Sequence, residues 1–173
     1  DLSIINKFLS KLEKIIQKDN LIIIESTCPP NTALNFYRKI TKKTRVHVST
    51  CPERAIPGST IKEMTFNPRI IGSSSKFAFK KTKSVYNNFV RGKMYNTSLV
   101  EAELVKLFEN TFRDVNIALS SELQSISDKF DLNTNKIFKL ANLHPRVNIL
   151  KSGIGVGGHC IPVDPWFLIQ KKY

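Results

Sequence analysis

The sequence predicts an α/β fold: a doubly wound parallel sheet over the first half, then an all-helical segment built round one long central helix. Two observations carry this. Short β-branched runs, Leu21-Ile-Ile-Ile24, Arg45-Val-His-Val-Ser49 and Arg69-Ile-Ile-Gly72, alternate with segments of helical apolar spacing, the pattern of strands joined by crossover helices. Beyond them the strand signals cease, and Val105, Phe108, Phe112, Val115, Leu119, Leu123, Ile126 and Phe130 form one stripe at steps of three and four.

Taken in order, Leu2, Ile5, Phe8, Leu9, Leu12, Ile15 and Ile16 repeat at helical spacing, and Asn20 closes this first helix. Residues 21–25 read as a buried strand that stops at Cys28-Pro29-Pro30, because proline cannot continue a ladder. A helix is expected over 32–41, and a second strand over 45–49 that again runs out on a cysteine and proline, Cys51-Pro52-Glu53-Arg54. A short third strand is expected over 69–72, a helix over 75–90 and an edge strand over 93–96. Open parallel sheets bind ligands at the carboxyl ends of their strands, where Thr27 and Glu53 both lie. The long helix starts at Ser98-Leu-Val-Glu101, which has the spacing of a capping box. Its stripe runs more than twice the usual helix length, and a subunit interface is the natural reading. A shorter helix over 133–141 ends near Asn142, and Leu143-His-Pro-Arg-Val-Asn148 leads into a glycine run.

Composition narrows the classes. The chain has 173 residues, 41% of them hydrophobic, enough for one ordinary domain or two small ones. No apolar run approaches the ~18–20 residues of a membrane span and nothing resembles a signal peptide, so a soluble, cytoplasmic protein without a membrane partner is expected. Cys28, Cys51 and Cys160 are odd in number with no CxxC, and His47, His144 and His159 show no HxxxH spacing, which leaves neither a disulfide framework nor a metal site. A net charge of +13 invites a nucleic-acid reading. The basic clusters at 39–45, 76–83 and Lys171-Lys172 are mostly lysine without interleaved aromatics, so a solvated basic surface is favoured over nucleic acid, and an anionic small substrate fits equally. The chain begins at Asp1 directly in a helical pattern, as if in mid-domain.

The densest chemical signal lies near the end. Gly153, Gly155, Gly157 and Gly158, four of seven glycines, lead into His159-Cys160, where backbone can approach a ligand and main-chain N–H groups can face an anion. The cysteine is a nucleophile or a small apolar plug in a tight loop. Asp164 four residues on, with Pro162, Pro165, Trp166 and Phe167 stiffening the loop, favours the nucleophile. The run is not a dinucleotide fingerprint, since it follows a polar segment and runs into proline. Lys106, Asn110 and Asp114 recur at i, i+4 and i+8 on one face of the long helix. That face is either solvated, with an ordinary Lys–Asp pairing, or functional; the polar stretch Asn110-Thr-Phe-Arg-Asp-Val-Asn116 costs helix propensity with no cap to explain it.

Four segments together resemble one family, the nucleotide-sugar 6-dehydrogenases. They are Glu25-Ser-Thr-Cys-Pro-Pro30; Cys51-Pro-Glu-Arg54 with Pro57-Gly58; Lys106-Leu-Phe-Glu-Asn-Thr-Phe-Arg-Asp-Val-Asn-Ile-Ala-Leu119; and His144-Pro-Arg-Val-Asn-Ile-Leu150 running on to Phe167. His159 and Val163 resemble the branch acting on UDP-N-acetylhexosamines, N-acetylmannosamine in particular, with UDP-N-acetylglucosamine as the alternative substrate.

The resemblance implies a partial Rossmann-like, NAD-binding region over 1–96 and a central helical dimerisation and catalytic domain over 97–173. It also implies a fragment: the family's GxGxxG opening and uridine-binding end are missing, so the isolated chain is expected to have low activity or to act only as an association module. It implies oxidation of an alcohol to a carboxylate with two NAD, through a thiohemiacetal and a thioester on Cys160. Lys106 and Asn110 then stabilise the oxyanion, Asp164 and Thr27 organise water and protons, and Glu53 is the acid/base of thioester hydrolysis. Arg54, Arg146, Asn148, Gly157 and His159 are implied substrate contacts, His159 for specificity rather than as base, and Ser26 with Thr27 meets NAD. The implied partners are a UDP-sugar and a second copy of the chain.

Overall fold

The computed structural model describes residues 3–56 and 58–169. Leu2, Pro57 and the Lys171-Lys172 pair lie outside the described residues. The chain divides into two compact units, Asp1–Lys106 and Leu107–Tyr173, the division falling within one helix.

In the first unit, helix α1 (Ser3–Ile15) precedes β1 (Leu21–Ile24), α2 (Thr32–Ile40), β2 (His47–Thr50), α3 (Thr60–Phe66), β3 (Arg69–Ser73), α4 (Lys76–Tyr86) and β4 (Met94–Thr97), and α5 (Leu99–Lys129) begins here. The four strands lie in the order β1-β2-β3-β4. β1 and β2 are parallel, Leu21 opposite His47 and Ile24 opposite Thr50, and β3 and β4 are parallel with Arg69 opposite Met94. The expectation of a parallel sheet needs one correction: β2 and β3 are antiparallel, Thr50 facing Gly72. The cause is α3, which the sequence reading missed. It buries no residue and so does not pack across a sheet face as the crossover helix α2 does, and β3 enters at the end where β2 leaves.

Alternating residues of the strands feed two cores. Ile24 and Val48 pack with Leu9, Ala33, Phe36, Ile40 and Leu99 on the face covered by α1, α2 and the start of α5. Ile71 packs with Cys51, Tyr86 and Val90 under α4. At Gly72 the start of α5 lies so close that a Cβ would stand 2.6 Å from the Ser98 carbonyl oxygen and 2.8 Å from Ala102 Cβ. The predicted capping box is present: Ser98 N–H donates to Glu101 Oε2 at 2.8 Å and Glu101 N–H to Ser98 Oγ at 3.3 Å. The first helix ends at Ile15, earlier than expected. Asp19 takes φ 65°, and Gln17 N–H donates to Asn20 Oδ1 at 2.9 Å, so the polar 17–20 segment closes its own turn.

The second unit holds most of α5, helix α6 (Thr134–Ala141) and a 3-10 turn, Asp164–Leu168. Asn133 caps α6, its side chain accepting Lys136 N–H at 3.1 Å. Phe108, Phe112, Val115, Leu119, Ile126 and Phe130 of the α5 stripe are exposed. Among the described residues no helix is long and apolar enough to cross a membrane, and no group of three His, Cys, Asp or Glu residues could hold a metal ion.

Candidate active site

In the first unit the loops leaving β1 and β2 stay paired beyond the strands. Cys51 N–H donates to Ile24 O at 2.9 Å and Glu53 N–H to Glu25 O at 3.2 Å. Exposed Ser26 and half-buried Thr27 therefore emerge beside Glu53 and Arg54 at one end of the sheet. Glu53 is tightly held: Oε1 accepts the N–H groups of Arg54 and Ala55 at 2.7 and 2.8 Å, and Oε2 pairs with Arg69 Nη1 at 2.9 Å. Burial pushes its carboxyl up, but the N–H groups of Ala55 and Arg54 and the Arg69 charge outweigh burial and hold it below the usual carboxylate range. At neutral pH it accepts protons and has none to give. Arg54 Nη1 donates to Pro68 O at 3.0 Å, which directs its guanidinium to the entry of β3.

Sequence reasoning missed Glu103. It is buried on α5 three residues before half-buried Lys106, and its Oε1 accepts Ala33 N–H at 2.8 Å. It thus ties α5 to the start of α2, just after the Thr27-Cys28-Pro29-Pro30 turn. Burial pushes its carboxyl up to about 7, although the N–H groups of Ala33 and Asn31 oppose the rise. The signal available in sequence was a glutamate one turn before Lys106, indistinguishable there from a solvated helix residue.

The three thiols differ sharply. Burial, with Glu103 adding, pushes Cys28 up to about 12; burial also raises Cys51. Cys160 is exposed. Only there can a thiolate meet a solute.

In the second unit Asn110 Nδ2 donates to Asp164 Oδ2 at 2.5 Å, and both residues are buried, 3% and 5% exposed. Charge-assisted bonds of this kind are the strong ones. The N–H groups of Val163 and Asp164 donate to the Cys160 carbonyl at 3.1 and 3.0 Å, so the thiol is carried on a turn anchored through Asp164 to the long helix. Upstream, Gly157 and Gly158 take φ +45° and +86°, and a Cβ at either would meet nothing within 4 Å. Asn142 grips both backbone groups of Ile149, at 2.7 and 3.0 Å, and Asn116 Oδ1 accepts Leu150 N–H at 3.2 Å.

The side chains of Arg146, Asn148 and His159 are exposed. No described hydrogen bond joins them to Cys160, and among the described residues neither Lys106 nor Asp114 joins an ion pair. A polar cavity of about 600 Å³, lined by Ser121, Gln124, Ser125, Asp128, Asn135, Lys151, Ser152, Gly153 and Ile154, opens beside the glycine run. Sequence reasoning missed it, though Ser121, Ser125 and Asp128 recur at helical spacing.

Residues 1–90 match the NAD binding domain of the UDP-glucose/GDP-mannose dehydrogenase family, and residues 100–173 match its central domain. The chain belongs to this family. Among family members, it is 48% identical over 99% of its length to a UDP-N-acetyl-D-mannosamine dehydrogenase of Methanocaldococcus jannaschii, 40% of which it covers. Of the solved structures, a UDP-D-ManNAc dehydrogenase from Pyrococcus horikoshii superposes with a TM-score of 0.93 at 40% identity over 100% of this chain and 43% of that one. The UDP-N-acetyl-mannosamine dehydrogenase of Staphylococcus aureus gives 0.84 at 41% identity, over 99% and 42%. The chain therefore spans about two fifths of the length of these dehydrogenases.

Proposed function

We propose that this chain is a segment of an NAD-dependent nucleotide-sugar 6-dehydrogenase that oxidises UDP-N-acetyl-D-mannosamine to its uronate, with residues 1–96 in the NAD-binding domain and 97–173 in a central helical domain that dimerises. The observation that carries this is the exposed Cys160 backed by the buried Asn110–Asp164 pair, against two other thiols that are sealed in the cores. The named relatives favour N-acetylmannosamine as the sugar.

When bound, NAD supplies the hydride acceptor for both oxidations. Ser26 and Thr27, polar residues at the carboxyl end of a parallel strand, are the residues of this chain that would hold it, a reading supported by the parallel placement of β1 beside β2. The Cys160 thiolate adds to the C6 aldehyde carbon, and the carbonyl π electrons move to oxygen, which Lys106 stabilises by charge. After the second oxidation the acyl group remains on sulfur as a thioester. Water attacks that carbon while the Glu53 carboxylate accepts its proton, and Cys160 leaves as thiolate. Asn110, already bonded to Asp164, fixes the turn that carries the sulfur and keeps its second amide hydrogen for the oxyanion.

In the full-length enzyme containing this segment, two NADH should form per UDP-N-acetylmannosamine, and Cys160→Ala should make no uronate. Uronate production by that variant would remove the cysteine from the mechanism. Lys106→Ala should lower kcat by ~10²–10³ with little change in KM, the scale of one lost oxyanion donor. A change confined to KM would make Lys106 a binding residue.

A further inference from the structure

Arg69 is unexpected. It is a guanidinium only 2% exposed, at the first position of β3. Because β3 runs antiparallel to β2, that position lies at the end of the sheet where β1 and β2 release their loops. A charge buried so fully persists only when partnered. Nη1 pairs with Glu53 Oε2 at 2.9 Å, and the guanidinium carbon stands 5.3 Å from the centroid of the Tyr86 ring. Tyr86, the last residue of α4 and itself 2% exposed, donates its hydroxyl to Glu25 Oε1 at 2.7 Å. Glu25 O in turn accepts the N–H of Glu53 at 3.2 Å. The contacts close a ring: Glu53, Arg69, Tyr86, Glu25 and back to Glu53.

We propose that Arg69, with Tyr86, is a positioning residue for the reaction: a buried clamp that fixes the Glu53 carboxylate and locks its loop to the one carrying Thr27. The inference rests on the assignment of Glu53 as the proton acceptor for thioester hydrolysis. The groups facing Glu53 and its partner are Arg69 from β3, Arg54 and the Cys51 thiol from its own loop, Tyr86 from α4 and Glu25 from the β1 loop. Burial raises both Cys51 and Tyr86, so at neutral pH each stays protonated and Arg69 is the cation set against the two carboxylates. With Arg69 gone, burial acts on Glu53 with only the backbone N–H groups opposing it, and its titration moves up.

The test follows the Glu53 carboxyl directly, by ¹³C titration, and the pH profile of kcat in the full-length enzyme. Arg69→Met should raise the Glu53 titration midpoint and the acid limb of kcat by about 1–3 pH units. It should lower kcat at least tenfold with little change in KM, and Arg69→Lys should restore part of both. Combined with Glu53→Gln, Arg69→Met should add little further loss, because the two residues act as one unit. If Arg69→Met does not fold, Arg69→Gln removes the same charge with a hydrogen-bonding group retained. A folded neutral variant in which Glu53 titrates as in the parent overturns the clamp, as does full additivity with Glu53→Gln. If the parent enzyme does not turn over the UDP-sugar, the functional assignment has failed, and the ¹³C titration alone still decides whether Arg69 holds Glu53 ionised.

Discussion

Cys28, Cys51 and Cys160 are one side chain in three surroundings, and the surroundings set what each can do. Buried thiols raised by burial carry almost no thiolate, so brief treatment with iodoacetamide at pH 8 should alkylate Cys160 alone. Peptide mass spectrometry would show this, and equal labelling of all three would mean the cores are open. Glu103 gives a second expectation. Its carboxyl takes a proton at about 7 when folded, against an ordinary value of 4.5. Between those values the folded state binds more protons than the unfolded one, so the Glu103 contribution to stability falls as pH rises from about 4.5 to about 7 and is level above. Glu103→Gln keeps an acceptor for Ala33 N–H and loses that slope. The difference in Tm between wild type and variant should therefore change across this window and stay flat from pH 8 upward; a constant difference throughout would show that Glu103 titrates normally.

Elements were legible where a local rule governs them. The Ser98–Glu101 box, the helix expected over 133–141 and the long stripe rest on bonds or faces made within a few residues of sequence, and each appears where the sequence places it. α3 left no such trace because it has no buried residue, hence no apolar face to repeat. The antiparallel entry of β3 was hidden along with it. Glu53 and Thr27 were legible as strand-end residues, but Arg69, Tyr86 and Glu103 were not, since nothing local distinguishes a buried charged residue from a solvated one. The Asn110–Asp164 bond joins residues 54 apart, beyond any periodicity. The close approach at Gly72 is likewise invisible in sequence and has a measurable cost. Gly72→Ala places its methyl against the Ser98 carbonyl and Ala102, so urea unfolding should show a loss of about 1–3 kcal/mol, the usual range for overpacking. An unchanged midpoint would mean that α5 can retreat from β3.

At the scale of the whole molecule the salient fact is an apolar stripe that one copy of the chain leaves in water, with Phe112 63% and Phe130 68% exposed. Large contiguous apolar surface of this kind marks an interface. A second copy is the partner we expect, giving a two-fold pairing along α5. The full-length enzyme should sediment as a dimer at micromolar concentration, and Phe112→Lys should shift it toward monomer. A parent that sediments as monomer would refute the pairing. The formal charge of +13 is then a property of the solvated remainder, a surface whose field favours the approach of anions.

The glycines before Cys160 are constrained in a way that separates shape from handedness. At Gly157 and Gly158 a side chain would touch nothing, yet both residues hold backbone angles that L-amino acids rarely adopt. What this turn refuses is therefore chirality, not bulk. A D-alanine, introduced by chemical ligation, has the opposite preference and would sit there unstrained, narrowing the freedom of the unfolded loop where L-alanine would distort the folded one. The turn before Cys160 is in this sense a segment of mirror-image backbone, written with the one coded residue that has no hand.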